Sequence, residues 1–417
     1  MTLPWVLAGR TGDGMRSQAA RLLARAESDP GLNVTEVGRA LAAPSVAFRH
    51  RAVVLGADRA ELLAGVRAVA EQTAAPNVVS GEASPVDRLV FVFPGQGTQW
   101  VGMAAELLDT APVFADSIAT IERAFKSYVD WSLLDVLRDN EGAPPLDRVD
   151  VVQPVLFAMM VSLARLWESV GVRPAAVVGH SQGEIAAAHV AGALSLDDAA
   201  RIVALRSKAL GAIRGRGAML TVLAPNDRVQ ELLTPWQGRL SVAAVNGPAA
   251  MTVSGDSDAL TEFEAALRAA KMLRWRIPGV DFAAHSAHIE DIQDELFDLA
   301  AGISPQATDV AFYSTVSGKQ TETTELNAVY WYQNLRQTVR FDDAARALLA
   351  DGNTIFLECS AQPVLTVGLQ DTADETATPV TIMATLRLEE GGMARFLTAM
   401  AEAYAAGVPV DWKAAYA

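Results

Sequence analysis

Hydrophobic and polar positions over the first 85 residues follow two different periods. PWVLAG and AFRHRAVVLGAD have the short, alternating pattern of β-strands. GMRSQAARLLARAES, NVTEVGRALAA and RAELLAGVRAVAEQT repeat their apolar positions with helical spacing. The stretch AAPNVVSGEASPVD that follows is rich in Pro, Gly and Ser, which favours a boundary there. We therefore predict a separate small α/β unit over residues 1–85.

Beyond this boundary, short apolar runs end in glycine-containing turns. RLVFVF and PAAVVGHS are typical of buried strands, and helical segments lie between them. SLDDAARIVALRSKALGAI begins with Ser195 as a helix N-cap and carries Asp198 three residues later, as a capping box does. This alternation predicts an α/β core with a parallel sheet, resembling an α/β-hydrolase, over residues 86–216 and 283–400.

The rhythm changes over residues 217–282. Strand-like AMLTVLA, LSVAAVNG, AMTVSGD and LRWRIPG are interleaved with helical NDRVQELLTPW and SDALTEFEAALRAAKM. The order βαββαβ is that of a ferredoxin-like unit, which we expect to be inserted into the larger core. Residues 401–417 are expected to follow the core as a separate linker, and no element is predicted for its last part, VPVDWKAAYA.

Composition restricts the class of protein. The 417 residues contain one cysteine, Cys359, so an intramolecular disulfide is impossible. The longest apolar run, VVQPVLFAMMVSLARLW, is interrupted by Pro154 and Arg165 and predicts a buried helix rather than a membrane span. The N-terminus lacks the pattern of a signal peptide. The net charge of −15 argues against nucleic acid as the main ligand. We expect a cytoplasmic enzyme that binds neither membrane nor metal.

The segment Gly179-His180-Ser181-Gln182-Gly183 lies between a predicted strand and a predicted helix. Glycines in such a turn allow the tight backbone of a nucleophile elbow, which presents the serine at the N-terminus of the helix. The alternative is an ordinary turn in which the serine only caps the helix. The flanking strand and helix favour Ser181 as a nucleophile.

A serine nucleophile needs a base, and the chain offers five histidines. His50 lies in the N-terminal unit, and His189 falls on the next helix, where a core position is expected. His180 adjoins the serine, so we expect its side chain to point away and at most to support the site. His285 and His288 remain, in GVDFAAHSAHIEDIQDEL. We favour His285 and expect His288 on a solvated face.

A second glycine loop, FVFPGQGTQW, superficially resembles a dinucleotide-binding motif. Trp100 occupies the position of the sixth residue, where that motif needs glycine or alanine. The glycines could instead let the backbone N–H of Gln96 approach a reacting carbonyl, with the N–H of Gln182 as second donor. An ordinary strand-to-helix turn explains the pattern equally well.

Several ordered motifs together resemble one family. They are FVFPGQGTQWVGM, GHSQGEIAAAHVAGALSLDDAARIVALRS, VAAVNGPAAMTVSG, HSAHIE and YWYQNLRQTVRF. The chain resembles the acyltransferase domain of a modular type I polyketide synthase, whose fold is similar to that of malonyl-CoA:acyl carrier protein transacylases. Residues 1–85 resemble the linker between ketosynthase and acyltransferase, and VPVDWKAAY resembles the segment after the acyltransferase.

The resemblance implies roles for particular residues. It makes Ser181 the nucleophile and His285 the base, oriented by a main-chain carbonyl rather than by an aspartate. It assigns Arg206 to the free carboxylate of a malonyl-type substrate, a geometry that a planar guanidinium suits. Without the resemblance, a surface salt bridge would be the expected role of Arg206.

The resemblance also implies substrates and partners. The acyl donor would be an acyl-CoA, and the acceptor would be the phosphopantetheine arm of an acyl carrier protein. No bound cofactor is expected. A neighbouring ketosynthase domain of the same synthase would be a further partner.

The family's selectivity signal precedes the base. Methylmalonyl-type domains usually carry Tyr-Ala-Ser-His and malonyl-type domains His-Ala-Phe-His, whereas this chain has Phe282-Ala283-Ala284-His285. Ala284 leaves space where a phenylalanine would crowd the α-carbon, and Gln182 resembles the α-substituted class. We predict a 2-substituted malonyl unit: methylmalonyl by default, with ethylmalonyl or a larger unit as alternatives.

Two rival functions remain open at this stage. A serine hydrolase or thioesterase of the α/β-hydrolase type would share the elbow, but usually has a histidine near its C-terminus, and no histidine follows His288. A non-catalytic scaffold lobe would have no need of Ser181, His285 and Arg206 together.

Overall fold

The computed structural model of the chain describes residues 2–43, 48–84, 86 and 88–416. Within these ranges it contains three β-sheets, of three, six and five strands. The six-stranded sheet is the centre of a large subdomain, the five-stranded sheet defines a small subdomain, and the three-stranded sheet belongs to the N-terminal unit.

The N-terminal unit is an antiparallel sheet with strand order β1-β2-β3. Its elements are β1 (Leu3–Gly9), α1 (Gly12–Ser28), α2 (Val34–Leu41), β2 (His50–Gly56), α3 (Arg59–Glu71) and β3 (Val78–Glu82).

Strand β3 lies inside the stretch in which we predicted the boundary, so residues 78–82 of that stretch are a strand of the N-terminal unit. All five of its residues pair with β2, but none of them is buried, which agrees with the small and polar residues Ser80, Gly81 and Glu82. The predicted limit itself, at Pro85, lies outside the described residues, as do Asp87 and the Ala47 start of the second predicted strand.

The large subdomain contains a sheet of order β11-β10-β5-β4-β13-β14, in which only the two-residue β11 runs antiparallel to its neighbour. The predicted α/β fold with a parallel sheet is therefore confirmed. The strands are β4 (Leu89–Phe93), β5 (Ala176–Gly179), β10 (Ala311–Ser314), β11 (Lys319–Gln320), β13 (Ile355–Glu358) and β14 (Thr381–Ala384). Both faces of β4 and β5 are buried, as their continuous apolar sequences predict.

Helices cover the faces of this sheet. They are α4 (Ala105–Thr110), α5 (Pro112–Phe125), α6 (Leu133–Leu137), α7 (Val149–Ser169), α8 (Gly183–Val190), α9 (Leu196–Leu210), α12 (Gln293–Leu299), α13 (Ala328–Arg336), α14 (Phe341–Ala350), α15 (Thr366–Glu375) and α16 (Met393–Ala406). Ser195 caps α9, since its hydroxyl accepts the Asp198 N–H at 3.0 Å.

Helix α7 is the core helix of the molecule. Among the helices that the structure describes, it is long and apolar enough to span a membrane, but 89% of its most apolar window is buried inside the protein. It packs on α5, α8 and α9. The apolar run is therefore explained by burial within the fold.

The small subdomain contains β6 (Gly217–Leu223), α10 (Asn226–Leu233), β7 (Leu240–Gly247), β8 (Ala250–Asp256), α11 (Ser257–Ala269) and β9 (Leu273–Arg276). Its four strands are antiparallel in the order β7-β8-β6-β9, the order of a ferredoxin-like sheet.

A fifth strand, β12 (Val339–Arg340), adds to the edge of this sheet, parallel to β7. It comes from a part of the chain that we predicted to belong to the large subdomain, so the limit at residue 282 is too early for this sheet. A two-residue strand next to the polar run RQT has no hydrophobic period, and for this reason the sequence pattern does not reveal it.

The tail also differs from the prediction. Helix α16 crosses the predicted limit at residue 400, and Trp412–Tyr416 form a 3₁₀ helix where no element was predicted. The Tyr416 hydroxyl donates to the Pro4 carbonyl, and Arg39 Nη2 donates to the Tyr416 carbonyl at 3.2 Å. The tail therefore packs on the N-terminal unit. The remaining 3₁₀ helices are Gly211–Ile213, Thr234–Trp236, Ala287–Ile292 and Thr323–Glu325.

Candidate active site

The turn between β5 and α8 has the backbone of a nucleophile elbow. Ser181 lies in the left-handed region with φ +54°, an uncommon conformation for a residue with a side chain. A methyl group at Gly183 would overlap the carbonyl oxygen of Phe93, and one at Gly179 would overlap the backbone nitrogen of Glu184. Both glycines are thus required because strand, turn and helix approach so closely.

The serine faces a histidine from a distant part of the chain. Ser181 Oγ lies 2.8 Å from His285 Nε2, and His285 Nδ1 lies 2.8 Å from the carbonyl oxygen of Gln337. Because a carbonyl oxygen only accepts, the proton is on Nδ1, which leaves Nε2 free to accept the serine hydroxyl. His285 also has a left-handed backbone, φ +58°, and its N–H donates to the Leu335 carbonyl at 2.9 Å.

The surroundings of His285 keep its imidazole neutral. Burial and the positive charge of Arg206 lower the pKa of His285 to about 3, with a smaller lowering from His180, against the raising effect of the Gln337 carbonyl. The imidazole can therefore accept a proton over the whole neutral range.

Arg206 projects from α9 into the same centre. Its Nη2 donates to Ser181 Oγ at 3.1 Å, and its Nη1 donates to Asn334 Oδ1 at 2.5 Å. The residue is only 2% exposed, and its Nε has no hydrogen-bond partner among the described residues. Burial lowers the pKa of Arg206 to about 10, opposed by attraction to Glu184, so the guanidinium stays charged at neutral pH. A surface salt bridge is excluded for this arginine.

The loop after β4 lies against the elbow. A Cβ at Gly95 would lie 3.1 Å from His180 Nδ1 and 3.8 Å from Ser181 Cβ. The backbone N–H groups of Gln96 and Gln182 have no acceptor within the part of the chain that the structure describes. Gln182 is the residue directly before α8, where unpaired N–H groups are expected.

The three residues before His285 are buried in different surroundings. Phe282 and Ala284 belong to an apolar cluster that includes Leu210. Ala283 faces the small subdomain, because a Cβ at Gly217 would lie 2.6 Å from its Cβ. The carbonyl of Ala284 accepts the Ser254 hydroxyl at 2.6 Å.

His180 bonds the small subdomain, and His288 differs from expectation. The Nε2 of His180 lies 2.8 Å from Asn246 Oδ1 of β7, and burial lowers the pKa of His180. The close approach of Gly95 to the elbow directs the ring toward the small subdomain. His288 is partly buried rather than solvated, because its Nε2 lies 2.8 Å from Asp256 Oδ1.

The other two histidines lie apart from the centre. His189 is partly buried at the end of α8, where its Nδ1 lies 3.0 Å from the Leu194 carbonyl. His50 lies on β2 of the N-terminal unit, with Nε2 3.8 Å from Glu82.

Four residues near the centre were missed by the sequence reasoning: Gln153, Glu184, Asn334 and Gln337. Two of them stand in the motif YWYQNLRQTVRF, and Glu184 follows the elbow, but nothing in their pattern assigns them a contact. Gln153 is a polar residue in the apolar helix α7, which is an available signal. Its amide Nε2 lies 3.5 Å from Gln96 Oε1. Within the described ranges its buried Oε1 has no hydrogen-bond partner, and neither amide atom of Gln182 has one.

A nucleophile elbow on a parallel sheet, a histidine bonded to a carbonyl and a buried arginine meet at one hydroxyl, an arrangement typical of serine sites that transfer acyl groups. The chain belongs to the acyltransferase domain family, whose model, described as "Acyl transferase domain", matches residues 90–410. The predicted resemblance to polyketide synthase acyltransferase domains is confirmed by its relatives.

One relative is polyketide synthase GfsA of Streptomyces halstedii, 51% identical over 414 residues, which are 99% of this chain and 6% of that protein. The chain thus spans a small part of that synthase. The acyltransferase domain from module 8 of the salinomycin polyketide synthase has a TM-score of 0.95 at 50% identity, over 99% of this chain and 98% of that one. The acyltransferase domain of SpnD, in complex with 2-(pent-4-yn-1-yl)malonyl, has a TM-score of 0.84 at 29% identity, over 97% and 96%.

Proposed function

We propose that this domain transfers a 2-substituted malonyl unit from coenzyme A to Ser181, and from Ser181 to the phosphopantetheine thiol of an acyl carrier protein. One observation carries the proposal. The Ser181 hydroxyl lies within hydrogen-bond distance of both a neutral imidazole, His285, and a buried cation, Arg206. The first activates an attacking oxygen, and the second suits a substrate with a carboxylate close to its reacting carbonyl.

The acylation step uses the hydrogen bonds of the centre directly. His285 Nε2 takes the Ser181 proton while Oγ attacks the thioester carbonyl. The unpaired N–H groups of Gln96 and Gln182 stabilise the oxyanion. When the carbon–sulfur bond breaks, the imidazolium returns its proton to the coenzyme A sulfur. Transfer to the carrier thiol repeats these steps in reverse.

Arg206 selects for the acid. A buried guanidinium without a carboxylate partner favours a substrate that supplies one, and a neutral acyl group leaves it unpaired. The arginine therefore favours malonyl-type units over acetyl.

The small side chain of Ala284 supports an α-substituent on the malonyl unit. Ala284 lies directly before the base, and no bulky side chain occupies that position. The relative in complex with a 2-substituted malonyl group shares the fold of this chain. Methylmalonyl is the default unit, and ethylmalonyl or a larger unit is the second candidate, because one methylene changes binding by only about 1–3 kcal/mol.

We also propose the setting of the reaction. The enzyme would work in the cytoplasm beside a ketosynthase domain, with acyl-CoA and the carrier arm as substrates and without a bound cofactor. Because the chain has a net charge of −15, docking of an acidic carrier protein would depend on a local basic surface.

The test is mass spectrometry of the intact protein after incubation with an equimolar mixture of acetyl-, malonyl-, methylmalonyl- and ethylmalonyl-CoA. We expect a covalent adduct with the mass of methylmalonyl or ethylmalonyl, and none on Ser181→Ala. A dominant malonyl adduct would contradict the assignment of the substituent. A dominant acetyl adduct would contradict the role of Arg206, and no adduct at all would support the scaffold alternative.

The serine hydrolase alternative is separated by the fate of the acyl group. Such enzymes orient the histidine with a carboxylate, whereas Nδ1 of His285 is bonded to the carbonyl of Gln337. With a carrier protein present, we expect the acyl group to appear on its thiol faster than free acid is released. Release of free acid as the faster process would favour the hydrolase.

A further inference from the structure

The guanidinium of Arg206 is fixed from one side only. Its Nη1 donates to Asn334 Oδ1, and the amide nitrogen of Asn334 donates to Glu184 Oε2 at 2.7 Å. Asn334 is 2% exposed and Glu184 is fully buried. A continuous chain of hydrogen bonds therefore runs from the arginine to a buried acid.

Glu184 is surrounded by donors. Its Oε1 accepts the backbone N–H and the hydroxyl of Thr315, and its Oε2 accepts the Tyr330 hydroxyl at 2.6 Å as well as the Asn334 amide. Burial raises the pKa of Glu184, and these hydrogen bonds oppose that shift by favouring the carboxylate. These four contacts hold the Glu184 carboxylate in a single orientation. Because this carboxylate accepts the amide nitrogen of Asn334, the amide oxygen is the end that points to Arg206.

The opposite edge of the guanidinium is open. Nε has no partner among the residues described, and Nη2 donates only to the Ser181 hydroxyl. Nε and Nη2 lie on the same side of the planar group, and they form the pair of parallel donors that a carboxylate accepts in bidentate fashion.

We propose that Asn334 and Glu184 are positioning residues that hold Arg206 by Nη1, so that its Nε–Nη2 edge receives the carboxylate of the acyl unit beside Ser181. This inference rests on the proposed function, since it needs a substrate that carries a carboxylate. Neither residue contacts the substrate. Instead, they fix the angle at which the Arg206 guanidinium meets the substrate carboxylate.

A purely structural role makes a different prediction. If the network only stabilised the fold, its loss would slow acylation by every acyl-CoA alike. If it orients Arg206, its loss slows only acylation by substrates with a carboxylate. Propionyl-CoA is methylmalonyl-CoA without the carboxylate, and it therefore serves as the matched substrate.

The experiment measures the rate constant for acylation of Ser181 by methylmalonyl-CoA and by propionyl-CoA, in wild type, Glu184→Gln and Asn334→Ala. We expect the ratio of the two rate constants to fall about 10- to 100-fold in both variants, the range of one charge-assisted hydrogen bond. Asn334 also donates to the Ser181 carbonyl at 3.2 Å, so Asn334→Ala lowers both rates and only the ratio is informative. If Glu184→Gln does not fold, Asn334→Ala decides.

Thr372→Val is the control variant. Thr372 lies on helix α15 and is fully buried. Its hydroxyl donates to Asp342 at 2.6 Å, so the variant removes a buried hydrogen bond to a carboxylate other than Glu184. Its ratio should equal that of wild type.

Arg206→Ala distinguishes the positioning role of Asn334 and Glu184 from the proposed function of the domain. If the ratio falls in Arg206→Ala but not in Glu184→Gln or Asn334→Ala, the positioning role is wrong and the proposed function stands. If Arg206→Ala leaves the ratio unchanged, the proposed function itself fails. If Glu184→Gln and Asn334→Ala slow both substrates equally, the network is structural only.

Discussion

The two side chains that we propose to react are attached to unusual backbone conformations. Ser181 and His285 both have φ close to +55°, and neither is a glycine. Such residues persist only where the surroundings determine them, and they concentrate at functional sites. The close packing of Gly179 and Gly183 enforces the first, and the bond from the His285 N–H to Leu335 supports the second. The 2.8 Å contact between the two side chains is thus built into the backbone.

The lowered pKa of His285 predicts an unusual pH profile. Protonation would abolish the base, and an ordinary histidine would lose activity below its pKa of 6.5. Because the pKa is lowered to about 3, we expect kcat/KM for acylation to stay flat as the pH falls from about 8 to about 5. Stopped-flow measurement of coenzyme A release tests this.

Arg206→Gln is the matched variant for the pH profile. It removes the positive charge that helps to lower the pKa of His285, so the acidic limb should move to higher pH. Propionyl-CoA is the substrate for this comparison, since it does not depend on the arginine for binding. A wild-type limb near pH 6.5 would show that His285 is not the base or that its surroundings differ from those described.

The small side chain of Ala284 predicts that a larger residue at this position changes the selectivity for the acyl unit. Ala284→Phe would fill the space before the base, and should reduce acylation by methylmalonyl-CoA relative to malonyl-CoA by about 10-fold or more, the value of one to two methylene-sized contacts. Competition between the two CoA esters, read by intact mass, measures the ratio. Ala284→Ser is the small control and should keep the wild-type ratio.

The strand–turn–helix element around Ser181 could be predicted from sequence because its glycines and apolar strand leave few other conformations. The order of elements in the ferredoxin-like subdomain could also be predicted, because each of its strands and helices has a clear hydrophobic period. The long-range contacts of the candidate site could not be predicted from the sequence. Gln337, Asn334 and Glu184 form hydrogen bonds with segments remote in the sequence, and no local pattern encodes such partners.

The elbow predicts a strong effect of one methyl group. Gly183→Ala places a Cβ into the carbonyl oxygen of Phe93, a backbone atom that cannot move without shifting β4. We expect a loss of about 3 kcal/mol or more in the free energy of unfolding, or no soluble protein. Urea denaturation measures it. Gly211→Ala is the control, because a Cβ there meets no atom within 4 Å; equal losses in both variants would contradict the packing argument.

At the level of the whole molecule, the N-terminal unit is held by the far end of the chain. Arg51 Nη1 donates to the Tyr404 carbonyl at 2.8 Å, and its guanidinium lies 4.6 Å from the centre of the Tyr404 ring. Ala405 packs against Gly81 of β3, and Tyr416 packs against Gly38. The C-terminal segment and the N-terminal unit therefore pack against each other.

Substitution of Tyr416 tests this packing between the C-terminal segment and the N-terminal unit. Tyr416→Ala removes a buried ring and its hydrogen bond to Pro4, and should lower the free energy of unfolding by about 3 kcal/mol. Tyr416→Phe keeps the ring and should cost about 1 kcal/mol. Thermal and urea unfolding give both values. No loss in Tyr416→Ala would mean that the tail is not packed in solution.

Strand β12 has a consequence for chimeric synthases. An exchange of the small subdomain between two acyltransferases, cut at residues 217 and 282, would bring four foreign strands against a native β12. Thr338 donates its hydroxyl to the Val242 carbonyl at 2.7 Å, and the residue before it is Gln337, whose carbonyl bonds His285 Nδ1. A mismatched edge would therefore misplace the histidine of an otherwise intact large subdomain. A graft that also carries residues 337–340 would transfer β12 together with the β7 strand that it pairs with. It would thereby keep the Gln337 carbonyl in position to bond His285.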